Sequence, residues 1–313
     1  MKIIGNTKIP LPGRIATDSF RPIFEDRDGD LWLGLAGGVA GEATARVSPL
    51  IGAAILVASA AALLIGYARA AAKDDLSATT TVVLGGQRVS VTGIAKGAGM
   101  IHPDMATMLG TLSCDAGVPA DLWQAMVRRA VDRSFNAITV DGDTSTNDTV
   151  FLLANGSGPP LAGADLEAFA TEVRQVCVEL ARKIILDAEG AEHLITIEVE
   201  GCRTDAEAKT IAKTIAESAL VKTAVFGSDP NWGRVVSAAG YSGVPFEEKD
   251  LSLWMGDLLL YRAGTPLPFD ASAASSYLKH NREVHFRLRF ALGAARCTFY
   301  TSDLTTEYVK LNA

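Results

Sequence analysis

The sequence contains few of the residues that mark metal centres, disulfide frameworks and nucleic-acid surfaces. It has four cysteines and four histidines in 313 residues, with no C-x-x-C pair and no H-E-x-x-H motif, so neither a metal site nor a disulfide scaffold is predicted. Cys114, Cys177, Cys202 and Cys297 are expected to be reduced and mostly buried. A net charge of -7 without a Lys/Arg cluster excludes nucleic-acid binding through charge attraction.

The proportions of charged and apolar residues predict a protein with a sizeable packed core. Charged residues make up 21% and hydrophobic residues 48% of the chain, whose length suits one large α/β domain or two smaller ones. The sequence pI of about 5.2 is ordinary for a cytoplasmic enzyme, so a cytoplasmic location is expected. We find no internal repeat and no low-complexity linker.

The first 76 residues differ from the remainder and form an atypical N-terminal segment. Within them, residues 47–68 (VSPLIGAAILVASAAALLIGYA) contain no charged side chain and are predicted to form a long apolar helix. The run exceeds the about 20 residues that cross a bilayer, and Arg69 and Lys73 follow it on the side expected to be cytoplasmic. An alanine-rich helix buried in a protein core explains the same composition. A membrane tether and a core helix are therefore both open interpretations.

Residues 77–313 alternate between strand and helix patterns and are predicted to form one α/β domain. Gly85-Gly86 separates two β-branched runs, which predicts a hairpin and hence a mixed or antiparallel sheet. An amphipathic helix is predicted over 165–186, with Phe169, Val173 and Leu180 on its buried face. Periodicity also predicts helices over 120–135 and 205–220 and strands over 194–199, 221–226, 283–292 and 297–300.

Glycines and a lone lysine are concentrated in residues 93–109 (GIAKGAGMIHPDMATML). The P-loop pattern and G-x-G-x-x-G are both absent, so a phosphate cradle is not predicted. Cleavage of the Ala106–Thr107 bond would give Thr107 a free α-amine. Such an amine has a pKa of about 7.7–8.0 and can act as general base for the adjacent hydroxyl. On these residues alone, a structural loop with a capping threonine is the alternative, and His102 is expected to be hydrogen-bonded rather than catalytic.

Five sequence blocks follow one another along the chain. They are residues 96–109 (KGAGMIHPDMATML), 135–149 (FNAITVDGDTSTNDT), 187–191 (DAEGA), 221–234 (VKTAVFGSDPNWGR) and 303–313 (DLTTEYVKLNA). In content and order they resemble the bifunctional glutamate N-acetyltransferase/ornithine acetyltransferase family of arginine biosynthesis, over about residues 79–313. The resemblance implies an α/β mixed-sheet sandwich. It also implies that the chain cuts itself between Ala106 and Thr107 and that both pieces stay together.

The resemblance further implies a reaction. In this family the freed threonine, here Thr107, takes acetyl from N-acetylornithine and passes it to glutamate through an acetyl-threonine intermediate. Some members accept acetyl-CoA, so acetyl-CoA is a further candidate co-substrate. No metal and no bound organic cofactor is implied. Family members are assemblies of paired cut chains, so an oligomer acting on small molecules is expected.

Three further residues match substrate-binding positions of the family. Lys96 matches a lysine whose ammonium suits the substrate α-carboxylate. Glu189 matches an acidic residue that could receive the ornithine ammonium, and Asn312 matches an asparagine near the family's C-terminus. The segments 141–149 and 229–234 are also typical of the family, and we expect them to shape the fold rather than to contact substrate.

The segment ahead of Thr107 departs from the family. Family members carry a Thr-Gly pair there that forms the oxyanion hole, and this sequence offers no clear counterpart. One alternative is therefore a truncated or rearranged relative without catalysis, tethered to a membrane through residues 47–68. A second is an aminopeptidase or amidase on a related self-processing scaffold, although Lys96 and Glu189 favour an amino-acid acetyltransferase.

Overall fold

The computed structural model describes residues 2–4, 24–25, 31–32, 76–102, 108–144, 149–154, 156, 158 and 160–313. The predicted apolar helix over 47–68 lies outside the described residues, and so do Ala106 and Thr107. Within the described ranges, no helix is both long enough and apolar enough to cross a membrane.

The first sheet is mixed. It contains the strands β1 (Lys2–Ile4), β4 (Ser77–Leu84), β5 (Gln87–Lys96), β6 (Leu109–Cys114) and β8 (Thr149–Ala154), while β2 (Phe24–Glu25) and β3 (Leu31–Trp32) pair separately. The order across the sheet is β1-β8-β6-β5-β4. Strand β5 is antiparallel to β4 and β6, whereas β8 is parallel to β6 and β1.

The predicted hairpin at Gly85-Gly86 is confirmed. Strands β4 and β5 pair in antiparallel register with Leu84 opposite Gln87. Gly85 and Gly86 have φ angles of 55° and 76°, and both values lie in the left-handed region. Because side chains disfavour this region, a two-residue turn of this hand selects glycine at both positions.

The second sheet is also mixed, as the sequence predicted. Its strands are β7 (Ile138–Thr139), β9 (Leu194–Cys202), β10 (Leu251–Met255), β11 (Leu258–Arg262), β12 (Thr265–Pro266), β13 (Glu283–Phe290) and β14 (Ala295–Ser302). They lie in the order β12-β11-β10-β13-β9-β14-β7. Strand β9 is parallel to β13 and antiparallel to β14.

Two hydrophobic cores lie against these sheets. The helices are α1 (Ala120–Asp132), α2 (Gly163–Leu186), α3 (Asp205–Glu217), α4 (Ala219–Phe226), α5 (Trp232–Gly240), α6 (Ala271–His280) and α7 (Thr306–Leu311). Helices α1 and α2 pack with the first sheet, and α3 to α6 pack with the second. Helix α2 buries Phe169, Val173 and Leu180 as predicted, and it contacts β5 of the first sheet and β14 of the second. It therefore joins the two halves of the fold.

The strand predicted over 221–226 is wrong, because these residues form α4. The β-branched composition favours a strand, yet the hydroxyl of Ser218 accepts a hydrogen bond from the Val221 N–H and caps a helix. Val221, Ala224 and Val225 are buried at helical spacing. Packing of that face against the second core outweighs the local preference, which is worth only a few tenths of a kcal/mol per residue.

Candidate active site

The connection between β5 and β6 carries the segment that the sequence analysis singled out. Lys96 pairs with Leu109 across the two strands, so residues 97–108 form the connection between them. A Cβ at Gly97 would lie 3.0 Å from the Ile101 Cδ1 atom and 3.7 Å from the Met108 Cα atom. Met108 directly follows Thr107 in sequence. Met108 therefore packs against Gly97, the residue that follows Lys96.

Two of the three predicted substrate-binding residues are in contact. The Asn312 side-chain amide donates to the Glu189 carboxylate, with 3.1 Å between Nδ2 and Oε2. The Glu189 backbone N–H donates to the Ala98 carbonyl at 2.9 Å. A Cβ at Gly99 would lie only 2.8 Å from Glu189 Oε2, so the carboxylate sits directly over this glycine. Lys96, half-buried at the end of β5, precedes Ala98 by two residues.

The turn at Gly190 explains how Asn312 reaches this position. Gly190 has a φ of 65°, and a side chain there would collide with the backbone of Tyr308. The Thr305 hydroxyl donates to the Gly190 carbonyl at 2.7 Å and accepts from the Tyr308 N–H at 3.0 Å, so it also caps α7. The glycine of the DAEGA block thus allows α7 to dock, and α7 carries Asn312 to Glu189.

Asp141 binds the backbone of Met100 and Ile101 in the β5–β6 connection, and the sequence analysis did not name it as a site residue. Its carboxylate accepts from the Met100 N–H at 2.7 Å and from the Ile101 N–H at 3.1 Å. The Tyr308 hydroxyl donates to the same carboxylate at 3.2 Å. Burial and the nearby Asp141 raise the pKa of Tyr308 to about 12, so the phenol keeps its proton at neutral pH. Asp141 therefore connects the loop to α7.

Lys222 lies beneath Asp141 and was not predicted either. Its side chain is only 4% exposed, and its ammonium donates to the Val140 carbonyl at 2.7 Å and to the Thr301 hydroxyl at 3.0 Å. Burial lowers the pKa of Lys222 to about 8, against the opposing influence of Asp303 and Asp141. Lys222, Asp141 and Tyr308 border a cavity of about 140 Å³, which is smaller than typical ligand pockets of about 300–1,000 Å³.

A buried histidine–aspartate pair holds the start of β9 against the C-terminal block. His193 Nδ1 lies 2.7 Å from Asp303 Oδ2, and His193 Nε2 lies 3.0 Å from the Leu278 carbonyl oxygen. Both ring nitrogens thus face acceptors, which favours the doubly protonated imidazolium. The hydrogen bond that His193 donates to the Asp303 carboxylate raises the pKa of His193 despite its burial. Asp303 also accepts from the Glu192 and His193 N–H groups, both at 3.0 Å.

His102 has hydrogen-bonding partners, as the sequence analysis expected. Its Nδ1 lies 3.2 Å from Glu217 Oε1 and 3.4 Å from the Thr139 hydroxyl. The Thr139 hydroxyl in turn donates to the Ile101 carbonyl at 2.9 Å. His102 is thereby tied to the end of α3 immediately before residues 103–107.

Groups of both charges and an amide are available around the loop. Lys96 supplies a cation, Glu189 an anion and Asn312 an amide, and together these could recognise carboxylate and ammonium groups. Within the described parts of the chain, no group of three or more His, Cys, Asp or Glu residues is arranged to hold a metal ion.

Comparison with known proteins assigns the chain to a family. A profile described as "ArgJ family" matches residues 46–313, so the match begins just before the apolar run at 47–68. The chain is 51% identical over 230 residues to "Arginine biosynthesis bifunctional protein ArgJ" of Parasynechococcus marenigrum, a match that covers 74% of this chain and 56% of that protein. It is 49% identical over 242 residues to "Arginine biosynthesis bifunctional protein ArgJ 1" of a Nostoc species, with 74% and 59% covered.

Structural comparison agrees. A crystal structure of arginine biosynthesis bifunctional protein argJ from Bacillus halodurans matches with a TM-score of 0.62 and 36% identity, covering 64% of this chain and 96% of that one. The chain spans a little over half the length of the curated relatives it matches, 56% and 59% for the two above. Since the family profile matches most of the sequence, the chain belongs to the ArgJ family.

Proposed function

We propose that the chain is an acetyltransferase that cuts itself between Ala106 and Thr107 and then moves acetyl from N-acetylornithine to glutamate. The observation that carries this proposal is the contact between Glu189 and Asn312 beside residues 97–102, against which Met108 also packs. Glu189 and Asn312, both matched to substrate-binding positions, thus meet beside Gly99. Met108, which follows Thr107 in sequence, packs against Gly97 in the same segment. The names of the relatives, which refer to a bifunctional protein of arginine biosynthesis, support the same assignment.

Cleavage is proposed to begin when the Thr107 hydroxyl attacks the Ala106 carbonyl. An N-to-O acyl shift converts the peptide bond into an ester, and water then hydrolyses the ester. The products are a carboxylate on Ala106 and a free α-amine on Thr107. At neutral pH this amine can accept the hydroxyl proton in the next reaction, because its ordinary pKa is about 7.7–8.0.

Transfer is proposed to follow in two half-reactions. The Thr107 oxygen attacks the acetyl carbonyl of N-acetylornithine, and ornithine leaves with the proton that the α-amine received. The α-amine of glutamate then attacks the acetyl ester, which yields N-acetylglutamate and restores the hydroxyl. Lys96 is proposed to bind the substrate α-carboxylate, Glu189 the ornithine ammonium and Asn312 the substrate beside Glu189. No metal or bound cofactor is proposed, and acetyl-CoA is a further candidate donor.

Intact-mass spectrometry tests the cleavage. The full chain, Thr107→Ala and a control, Thr210→Ala, are purified and weighed without delay. Thr210 is exposed on α3, and among the described residues its hydroxyl donates only to the Ala206 carbonyl, so its loss should leave processing unchanged. We expect two fragments that separate at Ala106 and Thr107 in the wild type and in Thr210→Ala, and one uncut chain in Thr107→Ala. An uncut wild type would contradict the proposal and favour a relative without catalysis.

An isotope-transfer assay tests the reaction. The cut chain is incubated with N-acetylornithine labelled in the acetyl group, with and without glutamate. We expect labelled N-acetylglutamate only when glutamate is present, and an acetylated Thr107 fragment when it is absent. Free labelled acetate as the main product would instead indicate an amidase. Replacing the donor by labelled acetyl-CoA decides whether that compound is a co-substrate.

A further inference from the structure

A second pocket lies between α1, α2, α3 and β14, and it is lined by basic residues from different elements. Its volume is about 360 Å³, within the range of about 300–1,000 Å³ that is typical of small-molecule sites. Arg133 follows α1, Arg174 lies on α2, Lys209 on α3 and Arg296 on β14, and all four line the pocket. Four separate segments of the chain therefore each contribute one basic side chain to the lining of this cavity.

The charges of this pocket are not neutralised by its own carboxylates. Its two acidic residues, Asp132 and Asp205, already have partners. Asp205 forms an ion pair with Arg133 at 3.1 Å, and Asp132 accepts from the Asn136 amide at 3.0 Å. By contrast, Arg174, Lys209 and Arg296 form no side-chain ion pair with any residue that the structure describes. The pocket therefore has an excess of two positive charges, although the whole chain has a net charge of -7.

Part of the pocket lining is apolar, and we refer to this part as the apolar floor. It includes Val178, Cys297 and the aromatic ring of Tyr300. Burial raises the pKa of the Cys297 thiol to about 11, while the positive charges of Lys209 and Arg133 oppose this change. Cys297, Lys209 and Arg133 all line the same pocket. The pocket thus offers cations together with a surface for a less polar group.

We propose that this pocket binds a phosphorylated small molecule that carries at least two negative charges. Arginine predominates among the cations, and its planar guanidinium can bind two phosphate oxygens at once, which suits phosphate better than an isolated ammonium does. The apolar floor suits the organic part of such a ligand. No residue of this pocket takes part in the proposed acetyl transfer, so the two sites can be tested separately.

The pocket is distinct from the candidate active site but shares an element with it. Lys209 and Glu217 both lie on α3, about two turns or about 12 Å apart. Glu217 is the residue that contacts His102 beside the cleavage segment. A ligand at Lys209 would therefore contact the N-terminal half of α3, whereas the contact with His102 is at its C-terminal end.

Calorimetry with inorganic pyrophosphate tests the site on the full chain. We expect saturable binding with one ligand per chain, weakened by added salt. The double variant Arg174→Gln/Lys209→Gln should bind at least about tenfold more weakly, because each lost charge-assisted contact is worth roughly tenfold or more. Neither change leaves an unpaired carboxylate. Arg262→Gln, an exposed arginine on β11 away from the pocket, is the matched control and should bind as the wild type does.

Three results would overturn the proposal. They are the absence of saturable binding, equal binding by the double variant that thermal unfolding shows to be folded, and equal binding of citrate at the same ionic strength. The last would show that any polyanion suffices. The measurement is repeated on Thr107→Ala, where binding should persist, so failure of the pocket and failure of self-cleavage give different results.

Cys297 provides a second readout. All four cysteines lie in the described part of the chain, and only Cys297 is not buried. Saturating pyrophosphate should slow maleimide labelling of Cys297 at least about threefold in the wild type, since the ligand would cover the thiol, but not in Arg174→Gln/Lys209→Gln. A labelling rate that pyrophosphate does not change would place the anion elsewhere and overturn the assignment.

Discussion

The two groups of polar residues around the β5–β6 connection differ in how their hydrogen-bonding capacity is used. The rim consists of Lys96, Glu189 and Asn312, and the support beneath it consists of Asp141, His193, Lys222 and Asp303. In the described residues, the Glu189 carboxylate accepts one hydrogen bond, from the exposed Asn312. The buried Asp303 carboxylate accepts three, from two backbone N–H groups and one imidazole.

This difference indicates that the rim has hydrogen-bonding groups left for a ligand, whereas the support uses its groups to hold the protein together. A carboxylate has about four lone-pair sites, so Glu189 keeps acceptors that a ligand could use. Asp303 and Lys222 instead form their hydrogen bonds with other groups of the protein. The contrast predicts that changes in the support alter the free energy of unfolding, whereas changes in the rim alter ligand binding with little effect on stability.

The largest expected effect is that of Asp303→Ala. This change leaves the buried His193 and two backbone N–H groups without their acceptor, which should lower the free energy of unfolding by about 3–5 kcal/mol. The folded pKa of His193 is raised above 6.5, so the stabilisation by the pair is complete below pH 6.5 and declines as the pH rises through the folded value. Urea unfolding at several pH values measures both features.

Asp257→Ala, at an exposed turn residue, is the control for Asp303→Ala and should change stability by less than about 0.5 kcal/mol. A loss at Asp303 that is equally small would mean that the histidine–aspartate pair contributes no net stability. A loss that grows with rising pH would contradict the protonated imidazolium.

Lys222→Met should give the next largest effect, and its signature is pH dependence. The folded pKa of about 8 lies below the ordinary 10.5, so the folded state disfavours the charged amine. The stability of the wild type relative to Lys222→Met should therefore rise between pH 8 and 10.5, by about 3 kcal/mol at most. Denaturant unfolding of both proteins from pH 7 to 10 measures the difference, and a difference independent of pH would refute the buried ammonium.

Glu189→Gln should have the smallest effect on stability, within about 0.5 kcal/mol, because glutamine can still accept from Asn312. If the proposed function holds, kcat/KM for N-acetylornithine should fall roughly 10- to 100-fold through loss of a charge-assisted contact. Glu167→Gln, exposed on α2, is the matched control. A large loss of stability with unchanged kcat/KM would mean that Glu189 stabilises the fold and does not bind substrate.

The sequence predicted those features that depend on neighbours along the chain. Gly85-Gly86 specified the hairpin, and the spacing of Phe169, Val173 and Leu180 specified the buried face of α2. In the site, resemblance selected Glu189 and Asn312, which the structure brings into contact. The substrate-binding roles of Glu189, Asn312 and Lys96 and the nucleophilic role of Thr107 remain predictions. Residues 221–226 were predicted as a strand because their composition alone carries no information about the core on which α4 packs.

The sequence analysis did not identify the support residues, because their partners are distant along the chain. Asp141 stands at the start of a family-typical segment, yet its partners Met100 and Tyr308 lie far away along the chain. Lys222 interrupts an apolar run and resembles a surface lysine in any local window, although it is buried. Its role is visible only in the folded chain, where its ammonium donates to Val140 and Thr301.

By itself, then, the sequence determined the hairpin turn and the apolar face of α2, because local backbone preference and periodicity depend on residues a few positions apart. The family-typical blocks implied the mixed sheets through resemblance. The tertiary structure alone decided that α4 is a helix, that Lys222 is buried beneath Asp141, and that α7 docks on Gly190 to carry Asn312 to Glu189. These contacts join segments that are distant in sequence. Their stability depends on desolvation and on hydrogen-bond partners that only the packed chain supplies.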